Sequence, residues 1–379
     1  MAALAFGITG LGAAAWGEPA KAVVAYVFPQ HTVLQPGQID AQLLTRINYA
    51  FANIANGRMV AGFEHDAENF AYLESLKNEN PSLTVLVSVG GWLWSTNFSD
   101  MALTAESRAV FIQSVMEFLA QYKLDGLDID WEYPGMPGAG HPFRAQDKQN
   151  FTLLLKELRT RFSGETAKTH KRLYLTFAAG ASDEFLANTE MEKAQEYVDT
   201  VNVMSYDYYE TGSDLITGNH APLFTDPADP KKISAAASVT GFEKAGVPAG
   251  KIILGVPFYG REWGQVADVN HGLFQPGKPV PHAYATYTVI TQTMLGQEQN
   301  QGYVRYWDEK ASVPYLYNAQ QQIFVSYEDP QSIAAKCRFV LAEKLGGMMF
   351  WEYSNDPSGT LRRAINEGLH PQPSEAVKP

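Results

Sequence analysis

Asp128, Asp130 and Glu132 are spaced two residues apart in the stretch Leu124-Asp125-Gly126-Leu127-Asp128-Ile129-Asp130-Trp131-Glu132-Tyr133-Pro134. Side chains alternate faces along an extended strand, so the three acids share one face while Leu127, Ile129 and Trp131 take the other. Neighbours on that face stand roughly 6.5 to 7 Å apart between alpha carbons. Their mutual repulsion raises the proton affinity of at least one of them, which keeps a carboxylic acid available as a proton donor near neutral pH. An acidic solvent face on an antiparallel strand would show the same alternation. The stretch lies between two segments of helical periodicity, however, which predicts a buried strand of a parallel sheet, where charged side chains are costly unless they have a task.

The elements that must position these acids alternate along the chain. Strands are predicted at Val23–Phe28, Arg46–Ile54, Leu83–Val89, Leu124–Ile129, Leu173–Ala178, Asp199–Met204, Ile252–Pro257 and Gly346–Trp351, as short apolar runs bounded by turn residues. Helices are predicted between them: Asp66–Asn80, one capped by Thr104 with Phe111, Val115, Phe118, Leu119 and Tyr122 on its apolar face, one carrying Phe151, Leu154, Leu155, Leu158 and Phe162, Lys231–Lys244, and a last one from about Ser358 to Glu367. Eight strand-then-helix units are the pattern of a closed α/β TIM barrel, (β/α)8. The interval Glu262–Asp329 breaks it with strand-like pieces at Tyr303–Trp307 and Ile323–Tyr327. It is predicted to be a small, mostly antiparallel α+β insertion between the seventh strand and its helix. The barrel would then comprise residues 23–261 and 330–369.

In such a barrel ligands are handled at the carboxyl ends of the strands. There the sequence gathers Tyr26, Phe51, Gly90-Gly91-Trp92, Asp130 and Glu132, Met204-Ser205-Tyr206-Asp207, Tyr259 with Arg261, and Trp351-Glu352. Any single aromatic residue is more often core than platform. Many strands ending in aromatic planes, hydroxyls and carboxylates describe a saccharide groove.

With these residues the chain resembles glycoside hydrolase family 18, the chitinases. Asp125-Gly126-Leu127-Asp128-Ile129-Asp130-Trp131-Glu132 matches the DGxDxDWE signature in full, Ser88-Val89-Gly90-Gly91 the SxGG element and Met204-Ser205-Tyr206-Asp207 the MxYD element. The likeness runs from about Val23 to Leu369, and the insertion looks like the family's chitinase insertion domain. The resemblance implies hydrolysis of β-1,4-linked N-acetylglucosamine polymers with retention, the substrate's own 2-acetamido oxygen acting as nucleophile, a substrate-assisted exception to the two-carboxylate scheme. Glu132 would then be the general acid and base. Asp130 would orient the acetamido N–H, with Asp128 sharing a proton or hydrogen bond from below. Tyr206 would hold the acetamido oxygen in line for attack and Asp207 would bind the distorted sugar. Trp351 would floor the cleavage subsite, helped by Tyr26, Phe51, Met204 and Tyr259, Trp92 would be the platform on the leaving-group side, and Arg261 would be a further substrate-binding residue. Tyr208-Tyr209-Glu210 is more acidic than expected after MxYD. No cofactor or metal is implied; the partners are chitin and chito-oligosaccharides, bound by a monomer.

Two other readings share this fold: a chitin-binding lectin that has lost catalysis, which the Glu at position 132 disfavours, and an enzyme acting on the chitobiose core of N-glycans, for which Trp92 and the insertion are less suited. A formal net charge of -12 disfavours nucleic acid or an anionic membrane as main partner. Cys337 has no second cysteine to pair with. Residues 1–22, almost entirely apolar or small with Ala13-Ala14-Ala15 as a cleavage pattern, are read as a secretory leader or an N-terminal extension, which makes the protein secreted. The Pro-rich residues 370–379 are read as a tail.

Overall fold

The computed structural model of the chain describes residues 20–296 and 302–371. Most of the expected leader and tail therefore lies outside the described residues. The chain opens with β1 (Ala22–Val27) and β2 (Arg46–Ala55), and β2 turns back on itself as a hairpin with the short β3 (Arg58–Val60), which the sequence did not signal. Then come β4 (Thr84–Gly90), β5 (Gly126–Asp130), β6 (Tyr174–Gly180), β7 (Thr200–Met204) and β8 (Ile252–Pro257). A second sheet follows, made of β9 (Tyr259–Gly264), β10 (Lys278–Thr286), β11 (Val304–Asp308), β12 (Val313–Asn318) and β13 (Ile323–Ser326), before the chain returns with β14 (Gly347–Trp351). Strands β1, β2, β4, β5, β6, β7, β8 and β14 pair in parallel, and β1 pairs with both β2 and β14, so the sheet closes into the (β/α)8 barrel.

Outward-facing residues of the strands form the main core under the helices. Trp131 shows how this works locally: its indole stacks on Phe98 at 5.1 Å and meets Phe151 edge-on at 6.1 Å, wedging the end of β5 against the helix Asp147–Thr169. The helix Ala105–Tyr122 begins at Thr104, whose side chain accepts from the Ser107 N–H while Ser107 accepts from the Thr104 N–H. It buries Phe111, Val115, Phe118 and Leu119, each worth about 1.5 to 3 kcal/mol when taken from water, and stops at Lys123 in the left-handed region. The helix expected from Lys231 starts only at Ala235, because the Ser234 side chain caps it by accepting from the Ala237 N–H.

The second sheet is antiparallel, in the order β10-β9-β13-β12-β11. It begins at Tyr259, three residues before the expected boundary, so Tyr259 and Arg261 belong to it and not to the barrel wall. One face, with Trp263, Tyr315, Tyr317 and Phe324, packs on Tyr209, Ile216 and Ile233 from the long loop after β7. The other, with Leu316 and Val325, packs on Ile290, Met294 and Tyr303. Just past β13 the fully buried Glu328 pairs with the fully buried Lys336 of the helix Pro330–Ala342, and also accepts from the Ser332 hydroxyl. Lys336 donates a further bond to the Ala221 carbonyl at 2.7 Å, tying the sheet to the loop after β7. A buried ion pair costs much desolvation and is most felt when one partner is lost. Lys336→Met should therefore destabilise the protein by about 3 to 5 kcal/mol in urea unfolding, and the double change Lys336→Met with Glu328→Leu should recover most of that loss.

Candidate active site

The barrel register decides what meets the first acid. Ser88 on β4 and Thr176 on β6 are the direct neighbours of Asp128 on β5, so all three point into the barrel at one level. Asp128 is fully buried and accepts four hydrogen bonds: from Tyr26 Oη at 2.9 Å and Ser88 Oγ at 2.8 Å on Oδ2, and from Thr176 Oγ1 at 2.5 Å and Asn202 Nδ2 at 3.0 Å on Oδ1. Burial pushes its carboxyl above the ordinary value, and the donors together with the Arg46 charge pull back against that rise.

One step further along β5, Asp130 meets the opposite circumstance. Its Oδ1 is buried and has no hydrogen-bond partner among the described residues. Burial, followed by the charges of Glu132 and Asp128, drives its pKa well above the usual carboxylate range. The β4 neighbour of Asp130 is Gly90, at φ +108, where an added Cβ would come within 2.2 Å of the Asp130 carbonyl oxygen. That close approach requires glycine. Glu132 lies just beyond the end of the strand. Its backbone N–H donates to Ser95 Oγ at 2.9 Å, and the same Ser95 hydroxyl reaches the Gly91 and Asp130 carbonyls. Glu132 is only 8% exposed. Burial pushes its carboxyl up to about 7, a hydrogen bond from Tyr133 pulls down, and the charges of Asp207 and Glu210 push up further. A carboxylic acid with that proton affinity, at the mouth of a cleft, is suited to general acid and base work.

Across the mouth, after β7, Asp207 sits at φ 56. It accepts from Tyr259 Oη at 2.7 Å on Oδ2, and from Arg261 Nε at 2.7 Å and His220 Nδ1 at 3.4 Å on Oδ1. Burial alone would raise it, but the bonds and charges of His220 and Arg261 outweigh burial and hold it well below the usual carboxylate range. Arg261 also contacts Glu210 at 3.1 Å. Tyr206 lines the same mouth, and among the described residues its hydroxyl has only the Met349 sulfur, at 4.0 Å, as hydrogen-bond partner.

These groups open on a cleft of about 1020 Å³. Trp351 lines its floor, with Phe51 stacked on it at 5.5 Å and 20°. From Trp351 aromatic rings continue through Phe28 at 5.5 Å and Phe63 at 6.0 Å to Trp94 at 4.9 Å. Met204, Tyr259 and Tyr284 line another part, and Trp92, 48% exposed, stands at the rim.

Residues 22–356 match the family described as Glycosyl hydrolases family 18. The chain belongs to that family. It is 41% identical over 330 residues to Chitinase A1 of Niallia circulans, covering 83% of this chain and 47% of that protein, so it spans about half the relative's length. It is 33% identical to Chitotriosidase-1 of Mus musculus over 94% of this chain and 77% of the relative. A solved structure of a glycoside hydrolase family 18 N-acetylglucosaminidase from Paenibacillus barengoltzii superposes with TM-score 0.83 at 39% identity, covering 92% of this chain and 99% of the other.

Asp130, Glu132, Met204, Tyr206 and Asp207 from the motifs, with Trp92 and Trp351 from the strand ends, line one cleft. Tyr26, Phe51, Tyr259 and Arg261 line the same cleft and also serve its other residues. Tyr26, expected under a sugar, is 2% exposed and turns its hydroxyl to Asp128. Phe51 backs the Trp351 ring, and Tyr259 and Arg261 hold Asp207. Asp128 makes its hydrogen bonds to Tyr26, Ser88, Thr176 and Asn202, and none to Asp130 is found among the described residues. Sequence reading missed Thr176, Asn202, Ser95, Tyr133, His220 and Tyr284. Parity along β7 could have found Asn202, which shares the Met204 face; no local signal marks Ser95 or His220.

The raised carboxyl of Glu132 has a consequence for stability. Its folded pKa of about 7 exceeds the 4.5 of the free side chain, so the native state holds the extra proton, and stability falls as pH rises through that window. Glu132→Gln removes the ionisation. It should be more stable than the parent at pH 8 by on the order of 3 kcal/mol, with the difference closing below about pH 4, as followed by thermal unfolding across pH.

Proposed function

We propose that the chain hydrolyses β-1,4-linked N-acetylglucosamine polymers with retention, through the substrate's own acetamido group. One observation carries this reading: beside a proton-bearing Glu132, the cleft holds an acceptor, Asp130 Oδ1, and a hydroxyl donor, Tyr206, neither with an oxygen or nitrogen partner among the described residues. An acetamido group supplies the complement, an N–H for the acceptor and a carbonyl oxygen for the donor. Leaving buried polar groups unpaired costs about 1 to 3 kcal/mol each, so a substrate that pairs both is selected.

The chemistry then follows in two steps. The Glu132 carboxylic acid gives its proton to the glycosidic oxygen, whose bond to C1 breaks as the acetamido carbonyl oxygen bonds to C1. Asp130 accepts from the acetamido N–H and stabilises the positive charge of the resulting oxazolinium, while Tyr206 holds the carbonyl oxygen in line. The Glu132 carboxylate next takes a proton from water, the water oxygen bonds to C1 from the face the leaving sugar vacated, and the ring opens to restore the acetamido group. Asp207, kept charged by Arg261 and His220, binds the distorted sugar. Trp351 serves as the floor under it, and Trp92 as the platform on the leaving-group side. The second sheet, taken as an insertion at 259–329 in a barrel formed by 23–258 and 330–369, brings Tyr259 and Arg261 to the site. All of these groups come from one chain, which supports action as a monomer. An insoluble polymer cannot enter a cell, so the enzyme acts outside it; no described helix is long and apolar enough to cross a membrane.

The test combines turnover and binding on chito-oligosaccharides. The parent should release β-anomers first by NMR, and an early excess of α-anomers would exclude the acetamido nucleophile. Glu132→Gln should lower turnover about ten-thousand-fold with affinity by calorimetry retained, whereas near-normal turnover would remove Glu132 as proton donor. Binding without cleavage by the parent would point to a lectin. The pH profile gives an independent outcome: Asp207 raises the Glu132 pKa, so the residual kcat/KM of Asp207→Asn should lose its activity on the basic side at lower pH than the parent does.

A further inference from the structure

The loop after β5 does more than leave the barrel. At Gly138 it lies directly against the backbone of Glu132, so closely that a Cβ there would fall 2.2 Å from the Glu132 carbonyl oxygen. It then reaches across to the loop after β4 through His141. The half-buried imidazole places Nε2 2.6 Å from the Trp92 carbonyl oxygen and Nδ1 2.7 Å from Thr96 Oγ1. A carbonyl only accepts, so Nε2 carries the proton and Nδ1 accepts from the Thr96 hydroxyl in the neutral ring. Beyond His141 the loop is fastened again: the Arg144 N–H donates to Asp147 Oδ2 at 2.7 Å and its guanidinium to Ser99 Oγ at 2.7 Å. The Trp92 indole has little of its own to fix it. It is nearly half exposed, and among the described residues its ring contact is an edge-on meeting with Tyr133 at 6.4 Å. Its place at the rim is therefore set by its backbone, and His141 holds that backbone.

We propose that His141 is a positioning residue for the leaving-group side of the cleft, acting through Trp92: a clasp that fixes the platform relative to the Glu132 proton. The proposal rests on the saccharide reading of the cleft. It assigns to a residue outside the signature motifs a share in how well sugars beyond the cleaved bond are held. His141→Ala should lower kcat/KM on chitotetraose roughly three- to tenfold, as expected for a lost hydrogen bond, mainly through KM. His141→Gln, whose amide offers a donor and an acceptor on one rigid unit, should restore most of it.

The deciding experiment is a double-mutant cycle. In a Trp92→Ala background, His141→Ala should change kcat/KM by less than about twofold, because residues acting through one group are not additive. Equal fold losses in both backgrounds, or no loss in the parent, would overturn the proposal. Hydrogen exchange supplies a readout that needs no sugar: His141→Ala should speed exchange over residues 90–98 and leave β5 unchanged, and an unchanged rate over 90–98 would equally overturn it. Turnover of chitotetraose by the parent reports on the saccharide reading itself, so failure of that reading and failure of the clasp give different results.

Discussion

A fully buried carboxylate, Asp128, held by four donors from four other strands, is the constraint on which the site depends. Tyr26, Ser88, Thr176 and Asn202 come from β1, β4, β6 and β7. An ionised or partly ionised acid in the barrel interior is tolerated only when its lone pairs are filled. Filling them requires those strands to sit in one register. The polar layer thus specifies barrel closure on this side, and barrel closure in turn sets the height at which Asp130 and Glu132 emerge.

The tier above is arranged by the opposite rule. Among the described residues Asp130 retains an unpaired buried oxygen and Tyr206 a hydroxyl bonded only to a sulfur, so the interior is satisfied below and unsatisfied above. Unsatisfied groups at a mouth are costly to the empty protein and valuable to a ligand that completes them. The same separation governs protons. Burial and like charges raise Asp130 and Glu132, while cationic partners lower Asp207 a short way across the cleft. Environments that push carboxyls apart in this way assign their roles.

The second sheet contributes through β9. Tyr259, Arg261 and Trp263 share one face of the strand: the first two reach Asp207, and the third, further along, packs on Tyr209. The buried Lys336 ties the same sheet to the segment that carries His220. The second sheet is therefore part of the electrostatics of the cleft as well as a wall beside it, and the His141 clasp does for Trp92 on one side what this sheet does for Asp207 on the other.

Periodicity and spacing were enough to read the alternating strands and helices, the closed barrel, and the emergence of Asp128, Asp130 and Glu132 on one face, because each depends on local geometry that repeats every two or 3.6 residues. Strand-end position and the motifs were enough to gather Tyr206, Asp207, Trp92 and Trp351 at one cleft. Sequence did not show that Asp128 and Asp130, the same residue two positions apart, have opposite fates, one saturated and one open. Nor did it show that Tyr26 serves Asp128, that the second sheet starts at Tyr259, or that Ser95 and His141 hold the loops around Glu132. Those outcomes depend on partners 27 to 102 residues away in the chain. Which donors meet is decided by inter-strand register and loop packing, and these exist only once the barrel has closed.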